Sequence, residues 1–418
     1  MIRVTNIMQN NTMLSTLNRH QVALEKTERE LATGSRIQLP SSDPVGAANQ
    51  MLYRTRLTEL DQYDRNITEA KDRLNLMDGQ IDRVGEIFQR MRYLTVQAAN
   101  GTNSGFELKE AVAKEINQHL LALIDIANSK DATGRTLFGG SVIERDPFLP
   151  VYSHLQTAGI DQGNAVTGVQ YQGDIQVQNR EIERNEQMDI TIPGNRVFWG
   201  TNTSIASNKD SAAYVAQGDQ MIALNGVKIQ VSAGDTINDI IDKINTAPVE
   251  VRASKGSQDD IILTSKSPHQ IWLEDLEGGT VLQDLGLIDG TNPEPPNNFA
   301  TTATVSGLSI FEVVIMLRDD LIKGDVKLIG GRDLEALDSA LENVLRYRSE
   351  VGARVNRLEQ HEKRVAWDNT YTKELLAKNE SVDVTQAIVD LKWLEAVHSY
   401  ALRVGAGIIK QTLMDFLR

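Results

Sequence analysis

The residues that could carry chemistry in this chain are scattered histidines, one acidic cluster, one glycine pair and two arginines. The chain contains six histidines, at His20, His119, His154, His269, His361 and His398. None of them has the spacing of a zinc-binding motif such as H-E-x-x-H, so we expect packed or solvated roles for all six. Cysteine is absent, which excludes thiolate metal sites and cysteine nucleophiles.

The acidic cluster and the glycine pair both lack the spacing of a known binding loop. Glu274, Asp275 and Glu277 do not form the spaced ligand set of a calcium loop, so we expect a solvated turn. Gly405-Ala406-Gly407 lacks the G-x-G-x-x-G spacing and follows no predicted strand. This glycine pair therefore indicates close helix packing rather than nucleotide binding.

Arg354 and Arg357 could clamp an anion, but acidic residues lie close to them on the same predicted helix. Glu350 and Glu359 are near enough in sequence to favour surface ion pairs. No phosphate-binding loop, nucleophile elbow or Ser-His-Asp arrangement is recognisable. The sequence therefore predicts no enzyme: no catalytic residue, no cofactor and no bound metal.

Charge and hydropathy exclude two further classes of protein. The net charge of −14 and the isoelectric point near 5.0 argue against a nucleic-acid-binding surface, which needs clustered Lys and Arg. No run of about 18 apolar residues suggests a membrane span. The first residues contain no apolar segment typical of a cleavable signal peptide. We therefore expect neither a nucleic acid nor a membrane as partner.

Two ladders of apolar residues, spaced alternately by three and four, predict long helices in both halves of the chain. The first predicts a helix over about residues 45–98, through Leu60, Tyr63, Ile67, Ala70, Leu74, Met77, Ile81, Val84, Phe88, Met91, Thr95 and Ala98. The second comprises Leu334, Leu337, Leu341, Val344, Val351, Val355, Leu358 and Val365, and a further helix is predicted over 106–128. A helix of about 55 residues extends roughly 80 Å and needs a partner, so we expect an antiparallel bundle.

The middle of the chain changes to the period of β-strands. The clearest signal is Asn225-Gly226 between alternating apolar residues, which predicts a two-residue hairpin. The other predicted elements are strands at 188–192, 249–253 and 261–264, a helix capped by Asp235 or Thr236, and a linker at 291–298. The pattern indicates a separate, mainly β module with a ββαββ-like unit.

Sparse apolar stripes at both termini predict helices that bury these side chains against each other or against other subunits. Pro40 and Pro44 separate the first of these segments from the long helix. The residues predicted to form the subunit interface are Leu17, Leu24, Leu31, Leu391, Leu394, Val397, Ala401, Val404 and Ile408. Isolated helices of this kind are marginal in water, so we expect them to fold as they assemble.

Four stretches in both ends of the chain resemble the flagellin superfamily. Residues 29–37 read RELATGSRI and residues 40–48 read PSSDPVGAA, which is similar to the N-terminal signature of that family. Residues 134–140 (GRTLFGG), residues 351–359 (VGARVNRLE) and the tail from Ser381 through residues 412–417 (TLMDFL) are the other matches. The Ser-Asp-Pro variant and GRTLFGG resemble the hook–filament junction members more than filament flagellins.

The resemblance implies a mainly α fold with an inserted β module. The N- and C-terminal regions would form a long antiparallel helical coiled-coil rod around a central β-rich (α+β) domain. The implied domains are terminal polymerisation helices at 1–44 and 380–418, a rod at 45–165 and 305–379, and a central domain at 166–304 with a flagellin-insert-like module at about 221–287.

The resemblance also implies a structural role that joins the flagellar hook to the filament and is needed for filament assembly and motility. Family members self-associate in a ring, contact a neighbouring hook-associated junction protein and flagellin, and are held by an export chaperone at the C-terminal helix. They leave the cell through the flagellar channel without a cleavable signal peptide, and reside outside the cell or in the periplasm.

Three alternatives remain open from the sequence. A filament flagellin would build a long homopolymer rather than a ring. A periplasmic adaptor of efflux pumps also combines helical hairpins with β domains, but its usual order places β structure at both ends, the reverse of this chain. An enzyme could be displayed on the central module, although no metalloprotease motif occurs there.

Overall fold

The computed structural model describes residues 6–100, 106–157 and 160–416. The chain folds as two compact units, a terminal unit of residues 1–65 and 362–418 and a central unit of residues 66–361. The helices are α1 (Asn6–Thr33), α2 (Pro44–Ala99), α3 (Phe106–Ala127), α4 (Gly194–Val197), α5 (Ile237–Thr246), α6 (Val281–Asp284), α7 (Ile310–Lys323), α8 (Val326–Leu328), α9 (Leu334–Glu380) and α10 (Val384–Phe416), with a π-helical turn at Ile329–Asp333. The strands are β1 (Phe148–Thr157), β2 (Ile160–Tyr171), β3 (Asn179–Glu183), β4 (Glu186–Asp189), β5 (Ser204–Ala206), β6 (Gln220–Leu224), β7 (Val227–Val231), β8 (Val251–Lys255), β9 (Ile261–Ser265), β10 (Leu273–Leu276) and β11 (Thr304–Ser306).

The fold is mainly α with an inserted β-rich region, as predicted. Within the central unit, the predicted α2 seam from Ile67 to Ala98 is buried, and α9 buries Leu337, Val344, Val351 and Leu358. The two helices run antiparallel, because Arg92 pairs with Asp338 at 2.6 Å while Lys71 pairs with Glu359 at 3.9 Å. Arg348, which interrupts the apolar ladder, pairs with Asp78 and Asp82 of α2.

Five aromatic side chains form a second core in the central unit. Phe148 and Tyr171 face each other across the β1–β2 hairpin, with ring centroids 5.1 Å apart. Phe148 also lies 5.0 Å from Phe198 and 5.1 Å from Phe311, and Phe138 meets Phe198 edge-on at 4.9 Å. The β1–β2 hairpin and α7, neither of which was predicted from the sequence, together bring Phe148, Tyr171 and Phe311 to this cluster.

The predicted hairpin at Asn225-Gly226 is confirmed. Asn225 and Gly226 have φ values of 50° and 81°, the left-handed pair that a two-residue turn requires. The hairpin strands join β10 in the order β10-β6-β7, and a second sheet has the order β11-β5-β9-β8. Thr236, one of the two predicted caps, begins α5 through a capping box with Asp239.

The predicted strand at 188–192 is displaced toward the N-terminus. β4 ends at Asp189, and the chain then leaves the β3–β4 pair to bury Ile190 and Ile192. The Ile190 N–H donates to Gln178 O at 2.8 Å, and the Thr191 hydroxyl accepts from Gln178 N at 2.9 Å. The alternation of apolar residues was therefore correct, but one backbone bond and one side-chain hydrogen bond to Gln178 replace the expected strand pairing. The predicted strand at 249–253 similarly begins two residues later as β8.

We expect His269 to make the central unit sensitive to mild acid. It is buried, its Nδ1 hydrogen-bonds Ser267 O, and its Nε2 faces the Asn225 amide nitrogen, each at 2.8 Å. Burial lowers the pKa of His269 to about 4, and a proton on Nε2 would also face the Asn225 amide donor.

We expect the free energy of unfolding to fall by about 2 kcal/mol between pH 7 and pH 4.5 through this group alone. The unfolded histidine takes up its proton near pH 6.5 while the folded one stays neutral, so its contribution is fully present above that pH and is lost toward pH 4. Urea denaturation of His269→Gln should show a correspondingly flatter dependence on pH than the wild type. Equal pH dependence in the two proteins would contradict the assignment.

Candidate self-assembly surface

α1 and α10 pack along each other in antiparallel directions within the terminal unit. Gly405 of α10 lies against Met13 of α1, where an added Cβ would come within 3.1 Å of Met13 Cε. At the other end of the pair, Ser35 and Ser381 form an antiparallel bridge. The prediction of close helix packing at the glycine pair is therefore confirmed for Gly405.

Most of the predicted interface residues lie half-buried along this helix pair. They are Leu17, Leu24 and Leu31 on α1 and Leu391, Leu394, Val397 and Ala401 on α10. Val404 differs, because it is 58% exposed. The side chain of Ile408 lies outside those that the structure describes. The assignment of these residues to a subunit interface stays a prediction, and seven of the nine already have a role in packing within the chain.

A second row of apolar side chains on α10 is exposed. We call it the apolar stripe: Val389, Trp393, Tyr400 and Val404, with exposures of 57%, 62%, 63% and 58%. Intervals of four, seven and four residues place all four on one side of the helix. Sequence reasoning found only Val404 of this row, although the spacing of Val389, Trp393 and Tyr400 was a usable signal.

The apolar stripe is the kind of surface that needs a partner. Single exposed apolar residues are ordinary, but a row of four that includes two aromatic rings is typical of a protein-binding face. Trp and Tyr are also the residues that most often carry interface energy. The apolar stripe, and not the half-buried row of predicted interface residues, is therefore the best candidate for contacts between subunits.

The PSSDPVGAA stretch forms the N-terminal cap of α2. Asp43 accepts a hydrogen bond from the Gly46 N–H at 2.8 Å, and its own carbonyl accepts the first helical bond from Ala47 at 2.9 Å. A Cβ at Gly46 would meet Asp43 Oδ2 and Ile37 Cδ1, so a larger residue there would displace the capping carboxylate or the Ile37 side chain. Pro44 occupies the first helical position, where its missing N–H costs nothing.

Replacing Asp43 by Ala should lower the stability of the terminal unit by about 1 kcal/mol, as expected for loss of a helix cap. The variant also loses the ion pair of Asp43 with Arg36, 3.2 Å apart. Ser41→Ala, an exposed neighbour, is the matched control and should change stability by less than about 0.5 kcal/mol. Urea denaturation followed by circular dichroism measures both, and equal midpoints would contradict the capping role.

Within the terminal unit, polar contacts connect the first turns of α2 to the end of α9. Arg54 pairs with Glu380 at 2.8 Å, and Asn379 donates its side-chain amide to Gly46 O at 2.8 Å. Arg36 donates its backbone N–H to Glu380 O at 2.7 Å. These bonds fix the chain between α1 and α2 beside the end of α9, and so position α1 for its pairing with α10.

The residues first considered for chemistry are used in packing. Arg354 pairs with Glu350 as predicted, and it also donates to the carbonyl oxygens of Asp189 and Thr191 at 3.2 and 3.3 Å. Glu359, the other acidic residue considered near these arginines, pairs with Lys71. Arg357 reaches from α9 to Glu186 on β4. The VGARVNRLE stretch thus holds the β3–β4 hairpin on the helix.

The acidic cluster does not converge on a common point, and for Asp275 the prediction of a solvated turn was wrong. Asp275 accepts hydrogen bonds from the backbone N–H groups of Leu282 and Gln283 at 3.0 and 3.2 Å, at the start of α6. Burial raises the pKa of this carboxyl. Glu274 accepts a hydrogen bond from Trp272 Nε1 at 2.6 Å.

Among the described residues, no helix is both long enough and apolar enough to cross a bilayer.

Two regions of the chain match known protein families. Residues 4–142 match the family model of the bacterial flagellin N-terminal helical region, and residues 214–267 match the flagellin hook IN motif. These matches confirm the resemblance to flagellins at the N-terminus and in the central module.

Individual relatives are distant. A flagellin of Salmonella berta is 25% identical over 242 residues, which cover 57% of this chain and 43% of that protein. Flagellar hook-associated protein 3 of Escherichia coli K12 is 24% identical over 188 residues, 45% of this chain and 54% of that protein. The crystal structure of flagellar hook-associated protein 3 from Legionella pneumophila has a TM-score of 0.47 at 21% identity, covering 78% of this chain and 98% of that one. The matched region thus spans about half the length of these curated relatives.

Proposed function

We propose, from the premise that this chain carries a flagellin N-terminal helical region and a hook IN motif, that it is a structural subunit of the bacterial flagellum which joins the hook to the filament. The observation that carries the proposal is the exposed apolar stripe on α10, beside a helix pair formed by the two ends of the chain. A stripe on a terminal helix suits a protein that functions through self-association rather than catalysis.

The chemistry of the stripe fits repeated contacts between copies. Full burial of each large apolar side chain would contribute about 1.5 to 3 kcal/mol before the cost of association is subtracted. A tubular or ring-shaped assembly needs head-to-tail contacts, in which the stripe of one copy meets a different face of its neighbour. Each subunit would then use the stripe once, and the assembly is a ring if the rotation between neighbours closes.

The apolar stripe also fits the other partners that the flagellin resemblance implies. In a junction, a ring of this chain has one neighbouring layer on each side, a hook-associated junction protein and flagellin. Before export, an exposed apolar helix would promote aggregation, so a chaperone bound to α10 is expected to cover it. The protein would be exported to the flagellum.

Deletion of the gene from its own organism tests the proposal. We expect intact hooks that lack filaments, and flagellin monomers in the medium, because the filament has nothing to grow from. Expression of the wild-type chain from a plasmid should restore filaments and swimming. Normal filaments in the deletion strain would contradict the proposal.

The same strain distinguishes the second candidate, a filament flagellin, which is favoured by the Salmonella match. Loss of this chain would then remove the filament without releasing any other flagellin into the medium. Electron microscopy of the cells and gel analysis of the medium separate the two outcomes.

A further inference from the structure

Two carboxylates and one buried histidine meet where the β3–β4 turn lies against α9 in the central unit. Glu183 and Glu186 stand on either side of a tight turn in which Asn185 has a φ of 62°. His361 projects from α9 between them. Its Nδ1 lies 3.4 Å from Glu183 Oε2, and its Nε2 lies 3.4 Å from Glu186 Oε1.

His361 is buried with one ring nitrogen unsatisfied. The side chain is 5% exposed, and its Nδ1 forms no hydrogen bond with any described residue. A distance of 3.4 Å is longer than the usual N–H···O bond, which centres on about 2.9 to 3.0 Å. A buried polar atom without a partner is costly, so this nitrogen and the carboxylate in front of it are expected to share a third group.

The separations fit a metal ion as that group. One ligand atom from each of Glu183, Glu186 and His361 can be chosen so that all three lie within 4.8 Å of one another. Ligands that each lie about 2.0 to 2.1 Å from a tetrahedral zinc are roughly 3.4 Å apart, the distance seen between Nδ1 and Glu183. Glu186 Oε1 lies 3.4 Å from the other ring nitrogen, Nε2, so Glu186 would change rotamer to join Glu183 at an ion bound to Nδ1.

We propose that Glu183, Glu186 and His361 bind one divalent transition metal ion, zinc being the metal whose ligand preferences they match. An imidazole nitrogen with two carboxylate oxygens suits zinc, whereas calcium and magnesium prefer oxygen alone. The two glutamates are 28% and 32% exposed, which leaves a route for the ion and room for a water as fourth ligand. The site is independent of the proposed flagellar role.

Arg357 competes with the metal for Glu186. It lies one helical turn before His361 on α9, pairs with Glu186, and is 54% exposed. Its side chain can therefore turn into solvent when the ion binds. The bound ion would connect the β3–β4 turn to α9 and stabilise the folded central unit by an amount that grows with the logarithm of the free metal concentration above Kd.

Titration calorimetry of the purified full-length chain with zinc chloride, after treatment with a chelator, tests the proposal. We expect one zinc per chain and a rise in the melting temperature of the wild type. Glu186→Gln, which preserves side-chain shape, should weaken binding at least about tenfold and remove the melting shift, since a ligand is lost. Glu183→Gln should behave in the same way.

Two further variants sharpen the result. His154→Gln removes an exposed histidine on β1 and should leave zinc binding unchanged. Arg357→Gln removes the competing cation and should tighten binding. No saturable zinc binding by the wild type, or equal affinity in Glu186→Gln and wild type, would overturn the site; binding that does not tighten in Arg357→Gln would overturn the part given to that arginine.

Discussion

Replacing Trp393 and Tyr400 together by Asp should abolish filament attachment and swimming, while the monomer should stay folded. Both side chains are more than three-fifths exposed in the monomer, so the substitutions disturb little internal packing. In the assembly, each aspartate would bring a charge into an apolar contact, which costs several kcal/mol without a partner for it. Swimming assays and electron microscopy of a strain expressing only the variant measure the loss.

The control for this prediction is Tyr152→Asp. Tyr152 is 57% exposed on β1 of the central unit, so it matches Tyr400 in chemistry and exposure but lies outside the apolar stripe. We expect it to retain filaments and swimming. Thermal unfolding of both purified variants should give midpoints close to wild type. Normal filaments in the strain that carries Trp393→Asp/Tyr400→Asp would show that the apolar stripe does not form the contacts between subunits.

Phe148→Ala should be the most destabilising single truncation, lowering the free energy of unfolding of the central unit by about 3 to 5 kcal/mol. The Phe148 ring is 1% exposed and contacts Tyr171, Phe198 and Phe311. Its backbone also exchanges two hydrogen bonds of 2.8 Å with the Asn128 side chain. The truncation would therefore leave a cavity that a well-anchored backbone cannot collapse to fill.

Leu149→Ala is the matched control for Phe148→Ala. Leu149 follows Phe148 on β1 but is 47% exposed on the opposite face, so its truncation should cost less than about 0.5 kcal/mol. Urea denaturation followed by tryptophan fluorescence compares the two variants. A difference of less than about 1 kcal/mol between them would contradict the central place of the aromatic cluster.

Local patterns predicted those parts of the fold that local physics determines. The apolar ladders gave α2 and α3 to within one residue, Asn225-Gly226 gave its hairpin, and Thr236 gave the start of α5. The α7 helix was missed although Ser309 and Glu312 form a capping box before it. The β1–β2 hairpin was missed because its strands lack regular alternation.

The candidate surface was predicted less completely, because periodicity identifies apolar side chains but not the helix that covers them. Val397 and Ala401 were among the predicted interface residues, yet α1 half-covers them within the chain. Trp393 and Tyr400, on the neighbouring side of α10, are the ones left exposed. The meeting of Glu183, Glu186 and His361 left no local signal at all, since it depends on how a distant hairpin packs on α9.

The position of the protein in the flagellum tests the central claim most directly. An epitope inserted after Asn292, in an exposed loop of the central unit, can be labelled with gold on purified flagella and imaged by electron microscopy. The account predicts gold in a single narrow band between hook and filament. Gold along the whole filament, or on no part of the flagellum, would contradict it.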